Sequence, residues 1–201
     1  SQIERKDPVE SASPPSRRRA IRVVIFVLLG IAISLGALRG VKVLRTMTSN
    51  WMIEAHALSN DGHHEEAISL VNRAMLLSPD KETRKSGYRE RAHIYAEMGD
   101  LNNAIADAAR AVERGGNQPL AEQVGAQWTL GLYQLRADRL DDAITTFDRL
   151  FELLESTPQP WQERFDFIEA SGYYHRGAAY YRQGNKEQAD ADYQSARELD
   201  T

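Results

Sequence analysis

Residues 88–111 read YRERAHIYAEMGDLNNAIADAARA. Ala92 lies four residues after Tyr88, Gly99 seven after Ala92, and Ala104 five beyond Gly99, with Ala108 and Ala111 continuing the same helical stripe. A glycine between two stretches of helical period ends one helix and starts the next, and the small residues let the two axes come close. The unit recurs. Ala55, Gly62 and Ala67, then Gly131, Asp138 and Ala143, then Gly177, Gly184 and Ala189 repeat the spacing, so the small residue and the anchor alanine are twelve apart in all four copies. Val71 and Ala74, Phe147 and Leu150, and Tyr193 and Ala196 take the places of Ala108 and Ala111, while Trp51 and Tyr173 take that of Tyr88. One hairpin cannot bury its apolar face alone, so four in series predict an all-α stack stabilised by its neighbours.

The residues that fill these slots resemble the tetratricopeptide repeat, with its W-x2-L-G-x2-Y…A-x3-F…P layout. Trp51, Leu58, Ala67, Ala74 and Pro79 match in the first copy, and Tyr88, Ala92, Tyr95, Gly99, Ala104 and Ala111 in the second; Tyr173, Gly177, Tyr180, Gly184, Ala189, Tyr193 and Ala196 match in the fourth. The resemblance implies an α-solenoid of about four helix pairs over residues 48–201, with repeats at about 48–81, 85–118, 124–157 and 170–201. The third copy departs most: Trp128 is one residue late, Gln134 replaces a tyrosine and Leu150 a small residue, which predicts looser or shifted helix contacts there. Between residues 156 and 169 the spacing is longest, and WQERFDFIEASGYY predicts two or three extra helical turns before the fourth copy. The sequence stops at Leu199-Asp200-Thr201, directly after the fourth second helix, without the polar capping element such arrays usually carry.

The rest of the chain is unlike this body. Of 201 residues, the first 45 hold nine Lys/Arg against three Asp/Glu, and the remainder hold sixteen against twenty-six. So acidic a body argues against nucleic acid as partner, because phosphate contacts need a basic surface. The absence of cysteine excludes disulfides, thiol nucleophiles and thiolate metal sites. Residues 1–19 read as a flexible basic tail rich in Pro and Ser, ending in Arg17-Arg18-Arg19. VVIFVLLGIAISLGAL, residues 23–38, is uncharged and flanked by Arg22 and Arg39. As a helix it rises about 24 Å against a hydrocarbon core of about 30 Å, and flanking arginines extend its reach by snorkelling. Residues 20–44 therefore predict a single transmembrane helix, a cleaved signal peptide being the competing reading. Six basic residues before it against three after it place the amino terminus inside and the repeats on the extracytoplasmic, periplasmic side. Ala32, Gly36 and Gly40 recur every four residues and form a small-residue face for packing on another membrane helix.

No chemistry is expected. His63-His64-Glu65-Glu66 occupies a turn and lacks the spacing that sets two ligands on one helix face, no phosphate loop or nucleophile elbow is present, and no metal, cofactor or catalytic residue is predicted. Function is expected in the groove formed by the first helices. Helical phase places there Met52, Ile53 and His56, then Arg89, Glu90 and His93, then Trp128, Leu132, Leu135 and Arg136, then Tyr174, His175, Tyr181 and Arg182. Aromatic, aliphatic and arginine side chains are those that anchor protein interfaces. The strongest candidates are Arg89, His93, Trp128, Leu132, Arg136, Tyr174, His175, Tyr181 and Arg182. Family members that hold Hsp70- or Hsp90-type chaperone tails share a carboxylate clamp of Lys, Asn and Arg; the matching positions here are Met52, His56, Glu90, Gly125 and Thr129, so the clamp is absent. The expectation is a membrane-anchored scaffold or assembly factor that binds a protein segment, or alternatively a permanent accessory subunit of a larger membrane complex.

Overall fold

The computed structural model describes residues 17–114, 119–156 and 165–199, with side chains from Ser34 onward, residue 35 apart. Eight helices lie among the described residues: α1 Arg17–Asn60, α2 His64–Leu77, α3 Lys81–Glu97, α4 Leu101–Glu113, α5 Leu120–Arg136, α6 Leu140–Glu155, α7 Asp166–Arg182 and α8 Lys186–Leu199. Two compact units divide within α1, residues 1–43 and 44–201. The second is a solenoid in which each helix from α2 to α8 packs on its chain neighbours, α1 shares a buried cluster with α2 through Ala55, Ala67 and Val71, and α5 also touches α7.

The four hairpin turns are one structure repeated. Gly62, Gly99, Asp138 and Gly184 all have positive φ, at 82°, 80°, 60° and 85°. In each, the following N–H reaches five residues back, His63 to Leu58, Asp100 to Tyr95, Arg139 to Gln134 and Asn185 to Tyr180, and the turn residue's own N–H reaches three back. This satisfies the carbonyls left over at a helix end, and it requires the left-handed conformation that glycine adopts without strain. Asp138 is the one other residue there, and an aspartate tolerates that region better than most.

The small residues do what their spacing predicts. Ala55 and Ala92 are fully buried, and a Cβ added to Gly131 or Gly177 would lie 2.8 Å from the Phe147 ring or 3.0 Å from that of Tyr193. The third copy, expected to have looser or shifted contacts, is not loose: it holds a buried core of Val124, Leu135, Ala143, Phe147, Leu150, Phe151 and Leu154. Leu150 fits because the next first helix gives way opposite it: a Cβ on Gly172 would stand 3.2 Å from Leu150 and 3.0 Å from Phe151. The extra turns expected before the fourth copy are not part of α7. That helix starts at Asp166 and has the same 17 residues as α3 and α5, with its small residue at the same twelfth place. The first four residues of the stretch expected to form those turns, 161–164, lie outside the described residues.

Caps fix individual helices. Asp80 accepts the Thr83 N–H at 2.7 Å and its hydroxyl at 3.0 Å at the start of α3. The Thr83 amide holds the Asp80 carboxyl below its usual value near 3.8, against a smaller opposing effect of burial, with help from Arg45 and Ser78. Asp80→Ala is expected to cost about 1 kcal/mol. Because the folded pKa is depressed, this contribution is present above pH 3.8 and fades as pH falls through the folded value, so the difference in urea midpoint between the two chains should shrink in acid.

Of the expected flexible tail, residues 1–19, residues 1–16 lie outside the described residues, while Arg17, Arg18 and Arg19 are not tail but the first turn of α1, on which the expected span also falls. Among the described residues no helix is long and apolar enough to cross a membrane, but the apolar run up to residue 33 has no described side chains.

Candidate functional site

Among the candidate residues on α3, α5 and α7, Trp128, His175 and Tyr174 are brought into one aromatic cluster, and the others differ in their freedom. Tyr181 and Tyr174 on α7 are 61% and 57% exposed, and Phe167, seven residues before Tyr174, is exposed with them. Arg89 and His93 on α3 are also exposed. Trp128 is half-buried: its indole N–H donates to the Ser171 hydroxyl at 3.1 Å, and its ring meets His175 edge-on at 6.1 Å. His175 is packed further by Phe147 at 6.2 Å and Tyr174 at 5.5 Å, and burial pushes its pKa down, which favours the neutral imidazole. Leu132 is half-buried.

The two arginines are held in a shared manner. Arg136 donates to the carbonyl of Ala96 at 3.4 Å, and Arg182 to that of Leu135 at 2.8 Å and to Asp138 at 2.6 Å. Each thus ties the end of the preceding first helix, where free carbonyls and the helix dipole attract a cation. They remain partly exposed, so they can rigidify the groove and still offer donors to a ligand.

A histidine–glutamate seam was not anticipated as such. His56 lies 2.9 Å from Glu90, and His93 lies 3.3 Å from Glu97, which also accepts the Ser59 hydroxyl at 2.5 Å and faces His64 at 3.8 Å. Among the described residues, no group of three or more His, Asp or Glu side chains forms a metal site. On α1, Gly36 and Gly40 have nothing within 4 Å of a Cβ, while the side chain of Ala32 lies outside the described residues.

Two buried charge networks were missed altogether. Arg91 grips Asp107 through two N–H groups at 2.6 and 2.9 Å and reaches Asn72 of the preceding pair. Arg176 grips Asp192 at 2.9 and 2.6 Å and reaches Asp148 at 2.5 Å. Burial opposes the charge on Arg176, yet the hydrogen bonds and charges of Asp192, then Asp148, raise its pKa further. The places are identical: arginine one before the small residue, aspartate three after the anchor alanine, and a third partner five after the preceding anchor. The third copy has Leu130 and Thr146 in those slots and uses a buried Thr146-to-Gln134 hydrogen bond of 2.7 Å instead.

Comparison with known proteins agrees with this architecture. The tetratricopeptide repeat family models match residues 88–114 and 170–201, the second and fourth copies. The crystal structure of BtubC from P. vanneervenii is similar, at TM-score 0.66 and 17% identity over 76% of this chain and 62% of that one. MamA is similar at TM-score 0.60 and 19% identity over 82% and 87% of the two chains. A Rap protein complexed with competence and sporulation factor is similar at TM-score 0.56 and 14% identity, over 74% of this chain and 42% of that one. The chain thus spans less than two thirds of the length of BtubC and of the Rap protein. No curated protein matches by sequence. The fold is an all-helical, tetratricopeptide-like solenoid, of a kind consistent with protein–protein interaction.

Proposed function

We propose that this chain is a membrane-anchored, non-enzymatic scaffold or assembly factor that captures a segment of another protein on the face of its first helices. The observation that carries this is the exposed Tyr174 and Tyr181 beside Arg182, and Arg89 and His93 on α3 of the same face, on backbones that the arginine ties hold rigid. Tyrosine and arginine on a rigid face bury area and give directional hydrogen bonds at small entropic cost. That a Rap protein with this fold is crystallised with competence and sporulation factor supports the same use of the fold. Partners of the chain are other proteins, foremost subunits of a membrane complex, with no nucleic acid. Anchoring rests on the apolar run within residues 20–44, with the amino terminus inside and the repeats extracytoplasmic.

A second reading, a permanent accessory subunit, is favoured by the open surface around Gly36 and Gly40. Co-purification of the full chain from membranes in mild detergent separates the two. For the scaffold, Tyr181→Ala should lower captured partner at least about fivefold, the loss expected when an aromatic anchor worth about 1 kcal/mol or more is removed. Leu76→Ala, on a second helix, should not. For the subunit, Gly36→Leu should be the damaging change. If Tyr181→Ala and Gly36→Leu both leave every association intact, neither reading holds; extraction of the chain by alkaline carbonate would refute the anchor.

A further inference from the structure

We infer that the solenoid stacks end to end on a second copy of itself, the face of α1 that is exposed among the described residues in one copy covering the exposed face of α7 and α8 in the other. The inference comes from the way the internal boundaries are built. At the boundary between the third and fourth pairs, the residue five before the small one (Gly172) lies against those seven and eight after the anchor alanine (Leu150 and Phe151). The residue two before (His175) rests on Trp128 and Phe147, and the one before (Arg176) has its guanidinium 4.6 Å over the Phe151 ring. At the first boundary Gly87 meets Met75 in the same register. Residues two after the small one, Ile94, Tyr133 and Ala179, are buried at all three internal boundaries.

The same register can be applied to the two faces that no described helix covers. On α7 and α8 a cleft of about 470 Å³ opens among Tyr174, Tyr193, Ala196 and Arg197. On α1 the corresponding residues are Asn50, Ile53, Glu54 and Ala57, all but the alanine long side chains and all exposed, Ile53 by 68%. Superposing the register puts Asn50 over the small Ala196, where Leu150 needed a glycine opposite. Ile53 enters between Tyr174 and Tyr193, as His175 does between Trp128 and Phe147, so Tyr174 and Tyr181, whose counterpart Leu135 is buried at an internal boundary, stay open to a captured segment only in the last copy of a row. Glu54 meets Arg197, as Arg176 meets Phe151. Size is complementary at the first contact, apolar character at the second and charge at the third. Neither Glu54 nor Arg197 forms an ion pair among the described residues. A contact between two different faces is heterologous and propagates into a row of copies.

The chain contains no cysteine, so introduced thiols are the sole reactive ones. Full-length chains carrying Asn50→Cys and Ala196→Cys, purified separately in mild detergent, are mixed and treated with a short thiol-to-thiol crosslinker. Dimer should form in the mixture and be at least tenfold weaker in either chain alone, and a chain with both substitutions should give a ladder. Glu54→Arg or Arg197→Glu should each lower crosslinking severalfold, and the two reversals on opposing chains should restore it. Equal crosslinking of Asn50→Cys with itself would show symmetric pairing, and monomers throughout the concentration series would show none; either result overturns the proposal, as would reversals without effect.

Discussion

Replacing Phe147 by alanine is expected to remove about 3–5 kcal/mol of unfolding free energy, the range for emptying a large aromatic site in a close-packed core. Phe147 is fully buried, with its ring under Gly131 of its own pair and beside His175 of the next. Its loss therefore weakens both the third hairpin and the boundary that follows. Most small domains have about 5–15 kcal/mol in total, so the variant should unfold at a far lower urea concentration, while Leu76→Ala on the exposed side of α2 should shift the midpoint little. The neighbouring glycine supplies a stricter check. Gly131→Val forces atoms into a place where a Cβ already falls 2.8 Å from the ring, and it should be costly alone. Combined with Phe147→Ala it should cost much less than the sum, because the cavity of one accepts the bulk of the other. Additive losses would mean that the two positions are not in contact.

Arg176→Met is expected to cost a comparable amount, about 3–5 kcal/mol, because it strands a buried carboxylate without its cation. Asp192 has a side chain only 7% exposed, and its two oxygens receive Arg176 at 2.9 and 2.6 Å. Methionine keeps most of the stem that packs on Phe151, so the loss isolates the charge. Changing the partner as well should recover much of it: Arg176→Met with Asp192→Leu leaves no buried charge, and such replacements are often close to neutral. Urea unfolding of the three variants checks this. A single variant as stable as the parent would show that water reaches Asp192 and that the network contributes nothing.

These two sites mark the border of what the sequence discloses. The turns at Gly62, Gly99, Asp138 and Gly184 and the small residues paired with them were legible because each is a local demand, a positive φ or a close approach, that few residues meet. The Arg–Asp networks were not, since Arg176 and Asp192 are sixteen residues apart on different helices and their third partner comes from the preceding pair. Only the shared slots of Arg91 with Asp107 and Arg176 with Asp192 could have disclosed them, once the register was known. The third copy misled for a related reason: Leu150 is too large for its slot when its own pair is considered, and fits because Gly172 of the next pair recedes. The groove was half legible. Helical phase gives the direction of Trp128 and His175, but whether a side chain stays free depends on the neighbouring pair: α7 covers Trp128, the third pair covers His175, and Tyr174 and Tyr181 are left open.

Capture of a partner on the first-helix face is the central claim, and crosslinking in intact membranes tests it most directly. A photoreactive residue is placed in turn at Arg89, His93, Leu132 and Tyr181 on the first helices, and at the exposed Leu76, Ala109 and Arg149 on the second. The account predicts a common adduct, identified by mass spectrometry, from at least Arg89, His93 and Tyr181, and none at the second-helix positions. Adducts confined to Leu76, Ala109 and Arg149 would contradict it.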